Sequence, residues 1–100
     1  MIDAKSCTNI SEVRDEIDRV DRMIMELLAR RQEFVCEIVR FKTDEESIVA
    51  KSRQEQLYKQ RRVWAEELHL SPDMIDEVYK TIVRHNIKKE LELHHKSKKQ

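Results

Sequence analysis

Between Ile10 and Lys42, mostly apolar residues recur at alternating steps of three and four residues without interruption. We refer to these positions as the seam. This spacing returns each side chain to the same helix face, so it predicts one long amphipathic helix packed against other helices. The seam positions are Ile10, Val13, Ile17, Val20, Ile24, Leu27, Arg31, Phe34, Ile38 and Phe41. Arg31 is the one charged residue on this seam, and a charge on a packing face is costly unless it is paired. Its partner is either a carboxylate of the protein or an anionic ligand.

The length of this helix predicts an oligomer. Thirty-odd helical residues span roughly 50 Å, whereas a compact domain of this size has a radius of gyration of only about 13 Å. The helix therefore extends past any core that its own chain can build. We expect a second copy of the chain to cover the seam in a symmetric homodimer or a higher oligomer.

Composition restricts the class of protein. The chain has 100 residues, no glycine and one proline, which argues against glycine-rich phosphate loops and tight β-hairpins. Charged residues make up 40% of the chain and balance to a formal net charge of zero, so neither nucleic acid nor a membrane surface is indicated as a partner. We expect an all-α fold, because the apolar residues fall at helical spacing. We expect a cytoplasmic protein, because no signal peptide is evident and Cys7 and Cys36 are isolated thiols. We expect no cofactor and no metal site.

The remaining segments predict two shorter helices in one domain over residues 1–100. Residues 1–8 are a leader, Asn9 is the N-cap of the long helix, and residues 43–50 are expected to form a polar loop. A second helix covers about 51–68, with Leu57, Val63 and Trp64 facing inward. Ser71 and Pro72 start a third helix that reaches about residue 94, and residues 96–100 are expected to fray.

Cationic side chains on the inner faces suggest a site for a small dianion. Arg31 and Lys42 are eleven residues apart, which on a helix nearly restores the same facing, and Val35 lies between them. Arg14 is too far along the helix to reach the same pocket, but an antiparallel partner would bring its own copy alongside. Arg53, at the start of the second helix, is a further cation. On the third helix, Val83, Asn86 and Glu90 share one face.

These residues resemble the AroQ-type, all-helical chorismate mutases. The segments Val13-Arg14-Asp15-Glu16-Ile17-Asp18-Arg19-Val20-Asp21, Leu28-Ala29-Arg30-Arg31 and Arg40-Phe41-Lys42, followed by Arg53, are similar to that family. Cys7-Thr8 and Trp64-Ala65-Glu66-Glu67 are similar to the branch that contains the isochorismate-pyruvate lyases of salicylate synthesis. The resemblance covers about residues 7–94.

The resemblance implies an intertwined homodimer with two shared pockets, and a role for each cation. Arg14 of the partner would bind one substrate carboxylate and Arg31 the other. Lys42 would donate to the ether oxygen, where negative charge develops as the C–O bond breaks, and Arg53 would close a lid loop over the site. Such a pericyclic reaction needs positioning and aimed positive charge rather than a nucleophile or a metal.

Two departures from the family pattern affect the expected activity. Glu90 stands where many members carry Gln, and it would assist the ether oxygen only if it were protonated. Ala50 and Gln54 stand where enteric mutases place acids that receive the ring hydroxyl, although Gln54 could accept that hydrogen bond weakly.

Three functions therefore stay open. The first is a chorismate mutase of the lyase-like branch, which converts chorismate to prephenate. The second is an isochorismate-pyruvate lyase, which releases salicylate and pyruvate from isochorismate. The third is a non-catalytic helical dimer or ligand-binding module. If Arg31 and Lys42 were both paired with the protein's own carboxylates and no pocket were present, a non-catalytic helical dimer, acting as an adaptor, would be favoured.

Overall fold

The computed structural model describes residues 2–98, and the fold is all-helical over that range. The α-helices are α1 (Ile10–Ile38), α2 (Glu45–Val49), α3 (Lys51–Glu67) and α4 (Pro72–Lys98). Short 3₁₀ turns cover Ala4–Ser6 and Val39–Phe41. The expected long first helix and the two later helices are confirmed. The short helix α2 was not expected. The chain divides into two compact units, Met1–Phe34 and Val35–Gln100.

The first unit contains the leader and most of α1. Asn9 begins the helix as expected, since its Oδ1 accepts a hydrogen bond from the Glu12 backbone N–H at 2.9 Å. The Glu12 carboxylate in turn accepts the Thr8 backbone N–H at 2.9 Å. The first bond satisfies a backbone donor that the first turn of a helix leaves unpaired, and the second ties the residue before the N-cap to that turn.

The seam of α1 remains exposed within the chain, because no residue of this helix is buried. Ile17 and Leu27 leave 53% and 64% of their surface open. The periodic pattern therefore predicted the helix correctly, and the apolar side chains of the helix are exposed in the structure. Coverage by a second copy stays a prediction.

The first helical segment ends close to the expected position, and its last turn changes type. The α-helix stops at Ile38, the next three residues tighten into a 3₁₀ turn, and Lys42 is extended with φ −106° and ψ 133°. Lys42 therefore lies just past the helical segment rather than within it. The chain has to leave the helix here because Asp44 caps the next one, with its carboxylate accepting the Ser47 backbone N–H at 2.7 Å.

The predicted loop over residues 43–50 is largely the helix α2. Its Asp44–Ser47 capping box and the two acids of its first turn, Glu45 and Glu46, are the sequence signals that would have located it. Ile48 of this helix is only 2% exposed. Ala50 then takes a left-handed conformation, φ 47°, between α2 and α3. This conformation is costly for a residue with a Cβ, and it separates two helices that would otherwise merge.

Helices α3 and α4 pack together and form most of the second unit. Leu57 is buried as expected, whereas Val63 and Trp64 are exposed by 53% and 43% and were wrongly assigned to the interior. The Arg61 guanidinium lies 4.7 Å from the centre of the Trp64 ring and 5.4 Å from that of Tyr79. The indole therefore takes part in a cation–π stack at the surface of this chain.

The turn between α3 and α4 follows the sequence signals closely. His69 adopts a left-handed conformation, φ 59°, and the Leu70 backbone N–H bonds to the Ala65 carbonyl at 2.8 Å, which is a Schellman ending. Ser71 Oγ accepts the Met74 backbone N–H at 3.2 Å, and Pro72 is the first residue of α4. The helix continues to Lys98, beyond the predicted end near residue 94. Lys99 and Gln100 of the predicted tail lie outside the described residues.

An ion pair connects the two helices across their surface. The Arg62 guanidinium donates to the carboxylates of Asp76 and Asp73 on α4. The hydrogen bond with Asp76, followed by that with Asp73, holds the pKa of Arg62 above its usual range. The pair fixes the register of α3 against α4 next to the buried Leu57 and Ala65 positions.

Candidate active site

Lys42 and Glu90 meet in the second unit and form the centre of the candidate site. The Lys42 Nζ lies 3.4 Å from Glu90 Oε1, and the two side chains are 18% and 8% exposed. The same ammonium donates to the Ile48 carbonyl at 3.4 Å. The end of α1, the short helix α2 and the middle of α4 therefore jointly position one largely buried cation.

Glu90 lies within a column of buried polar side chains on α4. Asn86, Glu90 and His94 are spaced four residues apart and are 8%, 6% and 6% exposed. Side chains at this spacing lie one above another on the same helix face. Asn86 and Glu90 were predicted to share an inner face and do so. His94 was given no role from the sequence, and its four-residue spacing from Glu90 was the signal that could have identified it.

An open cleft of about 490 Å³ lies beside this pair. Its walls include Lys42, Arg40 and Thr43 after α1, and His94 near the end of α4. A cleft with two cationic side chains and a hydroxyl suits an anion with oxygen acceptors. Lys42 is thus paired with a carboxylate of its own chain, which the non-catalytic adaptor alternative requires. Lys42 also borders a cleft, which that alternative does not require.

Arg53 and Gln54 lie at the corner between α2 and α3. The Gln54 amide Nε2 donates to the Val49 carbonyl at 2.7 Å, so its Oε1 is oriented away as the acceptor end of the amide. Arg53 is exposed, and its guanidinium donates to Gln56 Oε1 at 3.4 Å. Arg53 and Ala50 line a hollow of about 740 Å³ in this corner. An exposed arginine on such a hollow is free to reorient when an anion enters.

The other predicted site residues are placed as follows. Val35 belongs to the second unit and is partly buried. Arg14 and Arg31 belong to the first unit, where Arg14 is exposed and Arg31 is partly buried. Their carboxylate-binding roles stay predictions.

The described residues show neither a metal-binding group nor a membrane-spanning element. Within residues 2–98, no three His, Cys, Asp or Glu side chains are grouped so that they could hold a metal ion. Over the same range, no helix is both long enough and apolar enough to cross a bilayer.

Comparison with known proteins identifies the family. Residues 13–91 match the family described as chorismate mutase type II. The chain is 33% identical over 79 residues to the isochorismate pyruvate lyase of Pseudomonas aeruginosa, covering 79% of this chain and 78% of that protein. It is 34% identical over 76 residues to the T-protein of Enterobacter agglomerans and 32% identical over 76 residues to that of Haemophilus influenzae, in each case spanning 75% of this chain and 20% of the T-protein.

This chain therefore belongs to the type II chorismate mutase family, and the predicted resemblance is confirmed. The match includes α1 from residue 13 onward, the Lys42–Glu90 pair, and α4 as far as residue 91. It makes the chain a member of an enzyme family, and it leaves two activities, mutase and lyase, to be distinguished.

Proposed function

We propose that this protein is a chorismate mutase of the lyase-like branch, which converts chorismate to prephenate. The observation that carries the proposal is the Lys42 ammonium, which is 18% exposed, is held by the Ile48 carbonyl and borders a cleft. In the reaction the ether C–O bond breaks while a C–C bond forms within the same molecule. The ether oxygen gains negative charge at that moment, and an aimed ammonium in a partly desolvated site stabilises it.

Glu90 has a defined place in this proposal. As a carboxylate it pairs with Lys42 and competes with the substrate for the ammonium, whereas as a carboxylic acid it would donate a second hydrogen bond to the ether oxygen. We therefore expect turnover to rise toward acidic pH. Replacement of Glu90 by Gln, which donates at every pH, should flatten the profile. A flat profile from about pH 5 to about pH 8 in both proteins would contradict this role.

The cations outside this pair complete the proposed substrate clamp. Arg14 from a second copy and Arg31 would each bind a carboxylate, while Arg53 would move over the substrate from the α2–α3 corner. For Arg14 and Arg31 the support is the sequence pattern. For Arg53 it is also the exposed position beside a hollow. The shared pockets would require a homodimer, and the uncovered seam of α1 supports that requirement.

The alternative function is an isochorismate-pyruvate lyase. Two observations favour it: the relative from Pseudomonas aeruginosa carries that name, and no acid stands at positions 50 and 54 to receive a ring hydroxyl as in the enteric mutases. Gln54 directs its Nε2 to the Val49 carbonyl, which leaves Oε1 as the only side-chain acceptor that this position offers. A hydrogen bond from the substrate's ring hydroxyl to this amide oxygen would be weaker than one to an acid. Such a bond is compatible with either chorismate or isochorismate as the substrate.

Paired progress curves distinguish the two activities. One assay follows the loss of chorismate by ultraviolet absorbance, and the other follows salicylate fluorescence from isochorismate, both at about pH 5.5 and about pH 7.5. Turnover of chorismate with little salicylate release is the expected result. Efficient salicylate release would identify the lyase instead. Silence in both assays from a folded dimer would overturn both enzymatic proposals and favour a ligand-binding module.

A further inference from the structure

The break between α2 and α3 at Ala50 is a strained feature of the second unit to which the proposed reaction gives no role. Ala50 has φ 47° and ψ 60°, a left-handed conformation that glycine adopts readily and that a Cβ disfavours. Strained backbone of this kind persists where the surrounding structure fixes it, and it is concentrated at functional sites. The hydrogen bonds around Ala50 indicate what the break does.

Ala50 ends one helix and begins the next. Its backbone N–H donates to the Glu46 carbonyl at 2.9 Å, which closes α2, and its carbonyl accepts the Gln54 backbone N–H at 3.0 Å, which opens α3. An uninterrupted helix would pair the carbonyls of Ile48 and Val49 with the backbone amides four residues later. A left-handed residue interrupts that pairing and leaves these carbonyls to other donors.

Both released carbonyls accept hydrogen bonds from side chains of the predicted site. The Ile48 carbonyl accepts a hydrogen bond from the Lys42 ammonium at 3.4 Å. The Val49 carbonyl accepts one from the Gln54 Nε2 at 2.7 Å. These two side chains are the proposed donor to the ether oxygen and a proposed contact for the ring hydroxyl. One backbone break therefore supplies an acceptor to each of two side chains in the proposed site.

The Ile48 carbonyl is held in place from both ends of α2. The side chain of Ile48 is 2% exposed, so its backbone cannot shift without moving a closely packed group. The capping box of Asp44 and Ser47 fixes the first turn of the same helix. An ammonium has three N–H donors, and besides the Ile48 carbonyl the Glu90 Oε1 lies 3.4 Å from the same nitrogen. Two fixed partners on different helices thus limit the directions in which the ammonium can offer its remaining donors.

We propose that Ala50 is a positioning residue. Its left-handed conformation keeps the two carbonyls before it available, so that they orient Lys42 and Gln54. The inference rests on the proposed function, in which the Lys42 ammonium faces the ether oxygen, and it gives Ala50 no contact with the substrate. Activity should therefore depend on how readily position 50 adopts a left-handed conformation, and not on the size or polarity of its side chain.

The first test compares kcat of Ala50→Asn and Ala50→Thr in the full-length protein. Both new side chains are polar and similar in size, but asparagine tolerates the left-handed region, whereas a β-branched residue resists it. We expect kcat of Ala50→Thr to be lower than that of Ala50→Asn by about tenfold or more, because a small misplacement of a catalytic group is costly. Equal kcat values for the two folded variants would overturn the inference.

The second test needs no turnover and follows amide hydrogen exchange by NMR. Ser52 and Arg53 lie in the first turn of α3, where backbone N–H groups have no partner within the helix. In Ala50→Thr the two helices should join, so these amides should pair with the released carbonyls and exchange at least about tenfold more slowly. In Ala50→Asn their exchange should match that of the native protein. Unchanged or faster exchange in Ala50→Thr would overturn the inference whether or not the chain is an enzyme.

Ala65→Gly is the control for a general loss of stability. Ala65 is 2% exposed and lies at the turn between α3 and α4, where its carbonyl accepts the Leu70 backbone N–H. The substitution should lower Tm, because glycine is unfavourable in a helix, and should leave kcat of the folded protein near the native value. A fall in kcat as large as that of Ala50→Thr would show that activity follows stability alone, and it would overturn the inference.

The outcomes separate this inference from the proposed function. Silence of the native protein in both enzymatic assays, with slowed exchange in Ala50→Thr, would support the hydrogen-bonding role of Ala50 and show that the proposed reaction is wrong. Turnover by the native protein, with equal kcat in Ala50→Asn and Ala50→Thr, would support the reaction and show that the positioning role is wrong.

Discussion

Helices α1 and α4 distribute polarity in opposite ways. The periodic apolar positions of α1 remain exposed within the chain. On α4 the buried positions include an amide, a carboxylate and an imidazole at Asn86, Glu90 and His94. In an ordinary helix the apolar residues are covered and such polar residues are solvated. We therefore take the exposed face of α1 as a candidate surface for another molecule, and the buried polar face of α4 as the face that carries the Lys42–Glu90 pair.

The exposed seam has a specific consequence for assembly. Burying one large aliphatic side chain contributes about 1.5–3 kcal/mol, and many such side chains are available along α1. The seam repeats over the whole helix, which suits a second α1 rather than a compact partner. A second copy of the chain is therefore the occupant that we propose for it.

The largest effect is expected at Lys42, which contacts Glu90 on the buried polar face of α4. Lys42→Ala removes the ammonium aimed at the ether oxygen, and we expect a loss of kcat of roughly 10²–10³-fold. Steady-state kinetics on whichever isomer proves to be the substrate measures this loss. Lys88→Ala, a change at an exposed lysine of α4, is the control and should stay near the native rate. Near-native kcat in Lys42→Ala would show that the proposed mechanism is wrong.

The second-largest effect is expected on self-association through the exposed apolar seam of α1. Leu27→Glu places a charge on the α1 seam, and the lost burial alone should weaken self-association by more than about tenfold per protomer face. Sedimentation equilibrium across a dilution series reports the change. Arg30→Glu introduces the same side chain at an exposed position outside the seam, and it should leave association intact. Equal association of both variants would mean that the seam is not the dimer surface.

The smallest effect tests the surface pair between α3 and α4. Arg62→Gln removes the donor to Asp76 and Asp73, and we expect a slight fall in Tm, because exposed ion pairs contribute little. The folded-state pKa of Arg62 is raised, so its contribution is present throughout neutral pH and is lost only as the pH rises through the arginine range. Thermal melts at neutral pH measure this fall.

Arg22→Gln is the matched control for this pair, since Arg22 bonds to Glu26 within a single helix. It should lower Tm less than Arg62→Gln does. A larger fall in the control would argue against a role for Arg62 in fixing the register of the two helices.

Local sequence signals predicted most of the helix boundaries. Helices begin at Asn9 and at the Ser71-Pro72 pair as expected, because capping depends on residues within one turn. Helix α3 also begins at Lys51 as expected, although no side chain caps it. The same chemistry at Asp44 and Ser47 was present but was interpreted as a loop. The change from α-helix to 3₁₀ turn at Val39 has no sequence signal, because no glycine or proline marks it.

Inward-facing positions were predicted less well where periodicity is weak. Leu57 is buried, but Val63 and Trp64 are exposed in the chain. On α3 the apolar residues are too sparse for their spacing to define a single face, so the packing of α4 decides which side chains are covered. The Arg61 stack on Trp64 depends in the same way on how Tyr79 arrives from α4.

The all-helical class, the long apolar seam of α1, and the cations and Glu90 that indicate the family could all be predicted from the sequence. These follow from side-chain periodicity, local capping and residue types at fixed spacing, which are properties of neighbouring positions. Only the packing of the helices establishes that Lys42 contacts Glu90 and the Ile48 carbonyl and that His94 is buried. Those contacts join residues far apart in the chain, so they depend on how α2 and α4 pack and not on any local pattern.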